Sequence, residues 1–171
     1  MTILEPTCGF GSLISSLLSE LTDPEYTDKQ VKFHSIVGID LDLYAVEKCQ
    51  SFVESKTIPL MWHHGDFLKT KRDHIVPDKS LSIGMIGGPP YGTNKESRDL
   101  PMKFVEHAIA EYQPEVICFL MPQRCAKHTY SLPANYKSQN IELLAASEFY
   151  FQGSGDAVLQ PSIIQCFRKV R

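Results

Sequence analysis

Apolar residues along the chain recur with two different periods, and the switches between them mark the elements. The apolar fragment at residues 2–4 runs into a glycine-rich turn, after which Leu13, Ile14, Leu17, Leu18 and Leu21 recur at helical spacing, predicting strand, turn and helix. A polar stretch over 22–32 gives way to a β-rich run at 33–39 that stops at Asp40, followed by an amphipathic helix over about 42–54. A short third strand is expected at 59–63, closed by Gly65 and Asp66, and a fourth at 81–86 that runs into a Gly-Pro-Pro turn. Met102, Phe104, Val105, Ala108 and Ile109 outline a further helix, and 116–121 a strongly apolar strand stopped by Pro122.

The last third is less regular. Strands at 143–151 and Ser162–Lys169, separated by a Gly/Ser/Asp-rich connection, are expected to pair antiparallel and close one edge of the sheet. Residues 129–140, interrupted by Pro133, read as a loop or a short helix. Alternating β and α elements predict an α/β fold, a doubly wound, mostly parallel sheet with an antiparallel closing strand. A chain of 171 residues suits a single domain with one substantial core, here 1–171. Its first strand lies almost at the chain start, so elements that commonly precede such a strand, and a separate recognition domain, are expected to be lacking.

Composition narrows the class. Hydrophobic residues at 43% and charged residues at 22% are ordinary globular usage and argue against a disordered or fibrous chain. A net charge of −3 supplies no global basic field, so any affinity for a polynucleotide must be local or come from a partner. No run approaches the ~20 apolar residues of a membrane span, and no secretory leader pattern opens the chain, which points to an intracellular protein, cytoplasmic or nuclear. Cys8, Cys49, Cys118, Cys125 and Cys166 are odd in number and without CxxC spacing, and are expected to be reduced, mostly buried thiols.

Two loops carry candidate chemistry. The turn Glu5-Pro6-Thr7-Cys8-Gly9-Phe10-Gly11-Ser12 joins a strand to a helix, where Gly9 and Gly11 let backbone approach a ligand and the helix start offers free amides. A tight turn without a ligand would use the same glycines. Leu13 and Ile14 stand where a dinucleotide fingerprint places its third glycine, which disfavours a nicotinamide enzyme. Asp40 can bind two ribose hydroxyls or act as a helix-start acid, a role Asp42 could fill better. Leu41 can cover an adenine face or sit in the core. Asp66 can accept from an adenine amino group with Phe67 packed on the heterocycle, or the pair can be a turn acid and a core ring.

The second loop is Gly88-Pro89-Pro90-Tyr91. Consecutive prolines fix the backbone and have no amide donors, so their carbonyls are acceptors in set positions, and Tyr91 offers a flat face for a base. An amino group conjugated to a ring is a poor nucleophile. Acceptors that hold its N–H bonds and align it with a methyl donor can localise its lone pair. Other polar groups are weaker candidates: His63 and His64 cannot share one strand face, so no metal site is expected, and the basic run from Lys69 to Arg72 is either a phosphate contact or a solvated loop.

Four segments in order, LEPTCGFGS, GIDLD, GDFL and GPPYG, resemble motifs I to IV of the S-adenosylmethionine-dependent N6-adenine methyltransferases of DNA and RNA, in the TaqI-like or gamma-type arrangement, and the stretch from Asp99 to Ala108 resembles motif V. The resemblance implies a Rossmann-like class I methyltransferase fold with S-adenosylmethionine as cofactor and adenine-containing DNA or RNA as partner, reached through a partner protein or a recognition domain. It places Glu5, Thr7, Gly9 and Gly11 at the methionine part of the cofactor, Asp40 at its ribose, and Leu41, Asp66 and Phe67 at its adenine. Pro89, Pro90 and Tyr91 would form the target-base site, with Tyr91 stacking on an extruded adenine. The family's Asn or Asp before the two prolines is replaced by Gly88, which has no side chain to accept from the reactive amino group. Impaired catalysis is therefore expected. Two other readings stand: methylation of a protein glutamine, whose planar amide poses the same chemical problem, and a non-catalytic subunit that keeps the fold.

Overall fold

The structure is a computed structural model and describes residues 1–22, 33–91, 99–127, 132–143, 150–151, 158–159 and 162–170. Strands β1 (Thr2–Glu5), β2 (Ser35–Asp40), β3 (Leu60–His64), β4 (Ile83–Gly87) and β5 (Val116–Pro122) are mutually parallel. Together with β6 (Tyr136–Leu143) and β9 (Ser162–Lys169) they form one sheet in the order β3-β2-β1-β4-β5-β9-β6, in which β9 runs antiparallel to both its neighbours. Strands β7 (Tyr150–Phe151) and β8 (Val158–Leu159) make a separate two-stranded ribbon.

The central strands are apolar on both faces because both faces are covered. Side chains alternate across them: Ile3 and Ile36 face the helices α1 (Ser12–Thr22) and α2 (Leu43–Phe52), with Ile14, Cys49 and Val53 completing that layer. Leu4 and Val37 face the other way, onto Met102, Phe104 and Val105 of α4 (Leu100–His107). The sheet is thus doubly wound, as its pattern predicts. A short helix not foreseen from sequence, α3 (Arg72–Ile75), follows β3, and α4 ends in a π turn, Ala108–Tyr112. Arg72 donates to the carbonyls of Tyr112 at 3.0 Å and Leu81 at 2.8 Å, which gives this end of the basic run a structural role.

Two expectations are corrected. The strand on the outer side of β9 is β6, which shares only Leu143 with the strand expected at 143–151; of that expected strand Tyr150 and Phe151 pair with β8, and 144–149 lie outside the described residues. A turn in which the Tyr136 amide donates to the Pro133 carbonyl at 2.8 Å launches β6 inside the stretch read as loop or helix. Tyr136 is buried and its hydroxyl donates to the Pro114 carbonyl at 2.7 Å, while Lys137, Ser138 and Gln139 face solvent on the sheet edge, so this strand lacks the apolar alternation that would reveal it. The second correction concerns the cysteines. Cys118 on β5 and Cys166 on β9 are directly opposed in register, with Cα atoms 4.3 Å apart, and are joined in a disulfide. Their separation of 48 residues hides this in the sequence. Cys8, Cys49 and Cys125 are buried thiols outside this disulfide, as expected.

Candidate functional site

The carboxyl ends of β1, β2 and β3 are tied together by hydrogen bonds that centre on Asp40. Its Oδ2 accepts from the Gly9 amide at 2.7 Å and its Oδ1 from the Asp42 amide at 2.9 Å, while its carbonyl accepts from the Gly65 amide at 2.8 Å. The Cys8 amide donates to the Ile39 carbonyl at 2.9 Å, and His64 Nε2 lies 3.1 Å from the Leu41 carbonyl. Asp42, not Asp40, caps α2, accepting from the Tyr44 amide at 2.9 Å. Asp40 is thereby left to the turn. Each of its carboxylate oxygens accepts one amide and keeps capacity for a second donor.

The glycines that shape the turn are specific. Gly9 and Gly11 have φ of +50° and +77°, where other residues are strained. A Cβ at Gly9 would meet nothing within 4 Å, so that backbone borders open space. Behind Gly11 the chain is crowded: a Cβ there would lie 2.8 Å from Val53 and 3.0 Å from the Cys49 sulfur, with the Trp62 ring at 3.5 Å. The same indole packs against Gly38, its cross-strand neighbour, where a Cβ would lie 2.5 Å from the ring. Trp62 and Cys49, which also donates to the Gly9 carbonyl at 3.2 Å, therefore support the turn from behind. Neither was predicted, although a glycine opposite a tryptophan in paired strands is a signature of close approach. Beyond this support, Val53, Ile58, Leu60 and Trp62 line a groove of about 600 Å³ at the amino-terminal half of β3.

Glu5 closes β1 with 3% of its surface exposed, and its Oε2 has no hydrogen-bond partner. Burial, and secondarily the charge of Asp40, push its carboxyl up to about 9. Burial likewise raises the thiols of Cys8 and Cys49. A buried carboxyl with a free oxygen fits a cationic ligand group. Among the described residues no group of three or more His, Cys, Asp or Glu could hold a metal ion.

The diproline loop adjoins this turn. Thr7 Oγ1 donates to the Gly88 carbonyl at 3.1 Å, binding the end of β4 to the turn after β1. Pro89 is buried, Gly88 and Pro90 are exposed, and Tyr91 is half-buried with its hydroxyl donating to Ser162 Oγ at 3.1 Å. Burial raises the Tyr91 phenol to about 12 against the opposing effect of Ser162. Ser162, the first residue of β9, had no sequence signal. Gly87 is the glycine this corner requires: its φ is +155° and a Cβ there would press on Pro6 at 3.2 Å. At Gly88 a Cβ would meet only Leu120, at 4.0 Å, so its missing side chain is not a packing requirement.

Not every predicted residue is presented to the site. Leu41 is 70% exposed beside Asp40, free to flank a ligand. Asp66 accepts from the Leu68 amide at 3.1 Å and pairs with Lys69 at 3.2 Å, the turn-acid role. Phe67 is 2% exposed, its ring stacked with Phe104 and with Tyr112 and at right angles to His107, so it packs in the core. It opens a short helical turn and belongs to the buried cluster that holds Leu4, Val37 and Val105.

No family model and no curated protein matches the chain. Among solved structures it is similar to the 23S rRNA methyltransferase ErmE, at 13% identity and a TM-score of 0.68 over 99% of this chain and 61% of that one. It is similar also to a Listeria monocytogenes protein assigned to the class I S-adenosylmethionine-dependent methyltransferases, at 16% and 0.69 over 99% and 54%. A dimethyladenosine transferase from Plasmodium falciparum aligns at 12% and 0.61 over 98% and 55%. At such identities the likeness is one of fold: the chain has the Rossmann-like class I methyltransferase fold. It spans between 54% and 61% of the length of these three proteins.

Proposed function

We propose that the chain binds S-adenosylmethionine and belongs to a methyltransferase for the N6 amino group of adenine in RNA or DNA, acting inside the cell, with catalysis impaired by Gly88. The observation that carries this reading is the Asp40 carboxylate, which fastens the left-handed Gly9 to the start of α2 and keeps an acceptor site on each oxygen, next to a buried Glu5 with an unpartnered oxygen. The residues fit the cofactor: Asp40 toward its ribose hydroxyls, exposed Leu41 toward one face of its adenine, Glu5, Thr7, Gly9 and Gly11 toward its methionine part. Bound there, it supplies an electrophilic methyl on a sulfonium. Asp66 retains one acceptor position for the adenine amino group.

The chain's own contribution to transfer is positioning. Pro89 and Pro90 offer fixed carbonyls to a planar amino group, and Tyr91 offers a ring to its base. Without a side chain at Gly88, one acceptor is missing, which raises the barrier by about 3 kcal/mol and slows transfer on the order of a hundredfold. Calorimetry with S-adenosylhomocysteine tests the pocket: saturable binding is expected, and no heat at millimolar ligand overturns the reading. Labelled methyl transfer to RNA, DNA and protein fractions tests the substrate, with Gly88→Asn expected to accelerate transfer to adenine.

Gly88 favours a second reading, a non-catalytic subunit that positions an active partner, because a side chain would fit there and none is present. A Gly88→Asn protein that stays inactive while the natural chain associates stably with another methyltransferase supports this alternative.

A further inference from the structure

Thr7 lies on the cofactor-side turn, yet its hydroxyl is not aimed along that turn. It reaches across the site to a residue 81 positions away, donating to the Gly88 carbonyl at 3.1 Å. A hydroxyl has one proton and two lone pairs. With its proton committed to that carbonyl, the Thr7 oxygen faces any further partner as an acceptor, and the donated bond polarises it into a better one.

The hydrogen bond and the missing acceptor meet at one residue, Gly88. A Cβ built at Gly88 meets only Leu120, at 4.0 Å, so the volume a polar side chain would occupy is open, and Gly88 is exposed. Gly87 supplies the unusual backbone of the corner, so nothing in the fold demands a glycine at 88. The Thr7 hydroxyl is fixed to the very residue whose side chain is absent, on the turn that holds Gly9 and Gly11.

We infer that the Thr7 hydroxyl stands in for the missing side chain at Gly88 and accepts a hydrogen bond from the amino group that is methylated. This rests on the reading of the site as one for S-adenosylmethionine and adenine. One N–H of the planar amino group goes to Thr7 Oγ1 and the other to a diproline carbonyl, which turns the nitrogen lone pair toward the methyl donor. The lone pair forms the new N–C bond as the donor's C–S bond breaks, the electron pair of that bond staying on sulfur in a neutral thioether. The surplus amino proton passes to water, which reaches the site past exposed Gly88 and Pro90. A neutral hydroxyl is a weaker acceptor than a carboxylate. The chain is thus a slow enzyme and not an inert one.

The test uses the chain loaded with S-adenosylhomocysteine and two probes, oligoadenylate and the same oligomer built from purine ribonucleoside, which lacks the amino group. The natural chain is expected to prefer oligoadenylate roughly tenfold, the worth of about one hydrogen bond. Thr7→Val, isosteric but without the hydroxyl, should bring the two affinities to parity. Thr7→Ser should recover most of the difference, and Gly88→Asn in the Thr7→Val background should restore it. Residual methyl transfer should follow the same order, with kcat falling on the order of tenfold in Thr7→Val. A Thr7→Val protein that binds S-adenosylhomocysteine and still prefers oligoadenylate as the natural chain does overturns the inference alone. Failure of the natural chain to bind S-adenosylhomocysteine overturns the reading beneath it as well.

Discussion

The Tyr91 hydroxyl stands 3.1 Å from Ser162 Oγ, so the aromatic residue of the diproline loop is held by the first residue of the antiparallel strand β9. The two are 71 positions apart, and their contact joins the loop after β4 to the far side of β5. Removing the Ser162 hydroxyl takes this hydrogen bond from the ring and leaves the hydrogen bonds of Asp40 untouched. Ser162→Ala is therefore expected to cost about 1 kcal/mol of stability and several-fold in affinity for oligoadenylate, with unchanged affinity for S-adenosylhomocysteine. It should also raise the Tyr91 phenol further, because the serine favours the ionised form, and an ultraviolet titration reads that directly. Equal losses of both ligands would show that Ser162 acts on the fold as a whole.

The adjacent glycines Gly87 and Gly88 separate a backbone requirement from a chemical one. Alanine at 87 must adopt a φ near +155° and crowd Pro6 at 3.2 Å, at a cost of about 1–3 kcal/mol. Alanine at 88 meets only Leu120 at van der Waals distance and should change stability by less than about 0.5 kcal/mol. Urea denaturation of the two variants checks the order. A larger loss at 88 than at 87 would contradict the assignment of the corner.

The legible part of this protein is the part where packing and pattern agree. β1, β2 and β5 are apolar runs because helices cover both faces, and each ends in a residue that stops the run: Glu5, Asp40, Pro122. The glycine turn and Asp40 were readable because left-handed backbone and a carboxylate at a strand end each leave a local mark. What escaped depends on register or on edges. The Cys118–Cys166 pair exists only once β9 is aligned on β5, and Ser162 acquires its role in the same step. The strand β6 is an edge whose solvent-facing Lys137, Ser138 and Gln139 look like loop. For Phe67 the sequence allowed a ligand contact or a core ring, and the rings it stacks with, Phe104 and Tyr112, lie about 40 residues downstream, beyond the reach of any local pattern.

Asp40 both builds the turn and, under the proposal, binds the ribose. Asp40→Asn keeps one oxygen but turns the other acceptor into a donor that faces an amide, leaving the Gly9 or Asp42 amide without its partner. A loss of about 1–2 kcal/mol in stability is expected, together with at least a tenfold loss in affinity for S-adenosylhomocysteine. Paired calorimetry and denaturation separate the two effects. An intact affinity would remove Asp40 from the ligand site and leave it a structural acid.

Glu5 makes the molecule sensitive to pH in a definite direction. Its carboxyl is raised from an ordinary value of 4.5 to about 9, first by burial and then by the charge of Asp40, so the folded chain holds a proton that the unfolded chain gives up. Its contribution to stability is therefore complete below about pH 4.5 and is lost as pH rises toward about 9. Denaturation should require less urea at roughly pH 8 than at roughly pH 6, and Glu5→Gln, which keeps the shape without the ionisation, should flatten that slope. A cationic ligand beside Glu5 reverses the preference, because an adjacent positive charge favours the carboxylate. Binding of S-adenosylmethionine, whose methionine part carries an ammonium, should then expel a proton near neutral pH. Calorimetric heats in two buffers of different ionisation enthalpy measure it, and Glu5→Gln should bind without that release. Proton release that persists in Glu5→Gln, or none in the natural chain, would show that the buried carboxyl does not meet the cation.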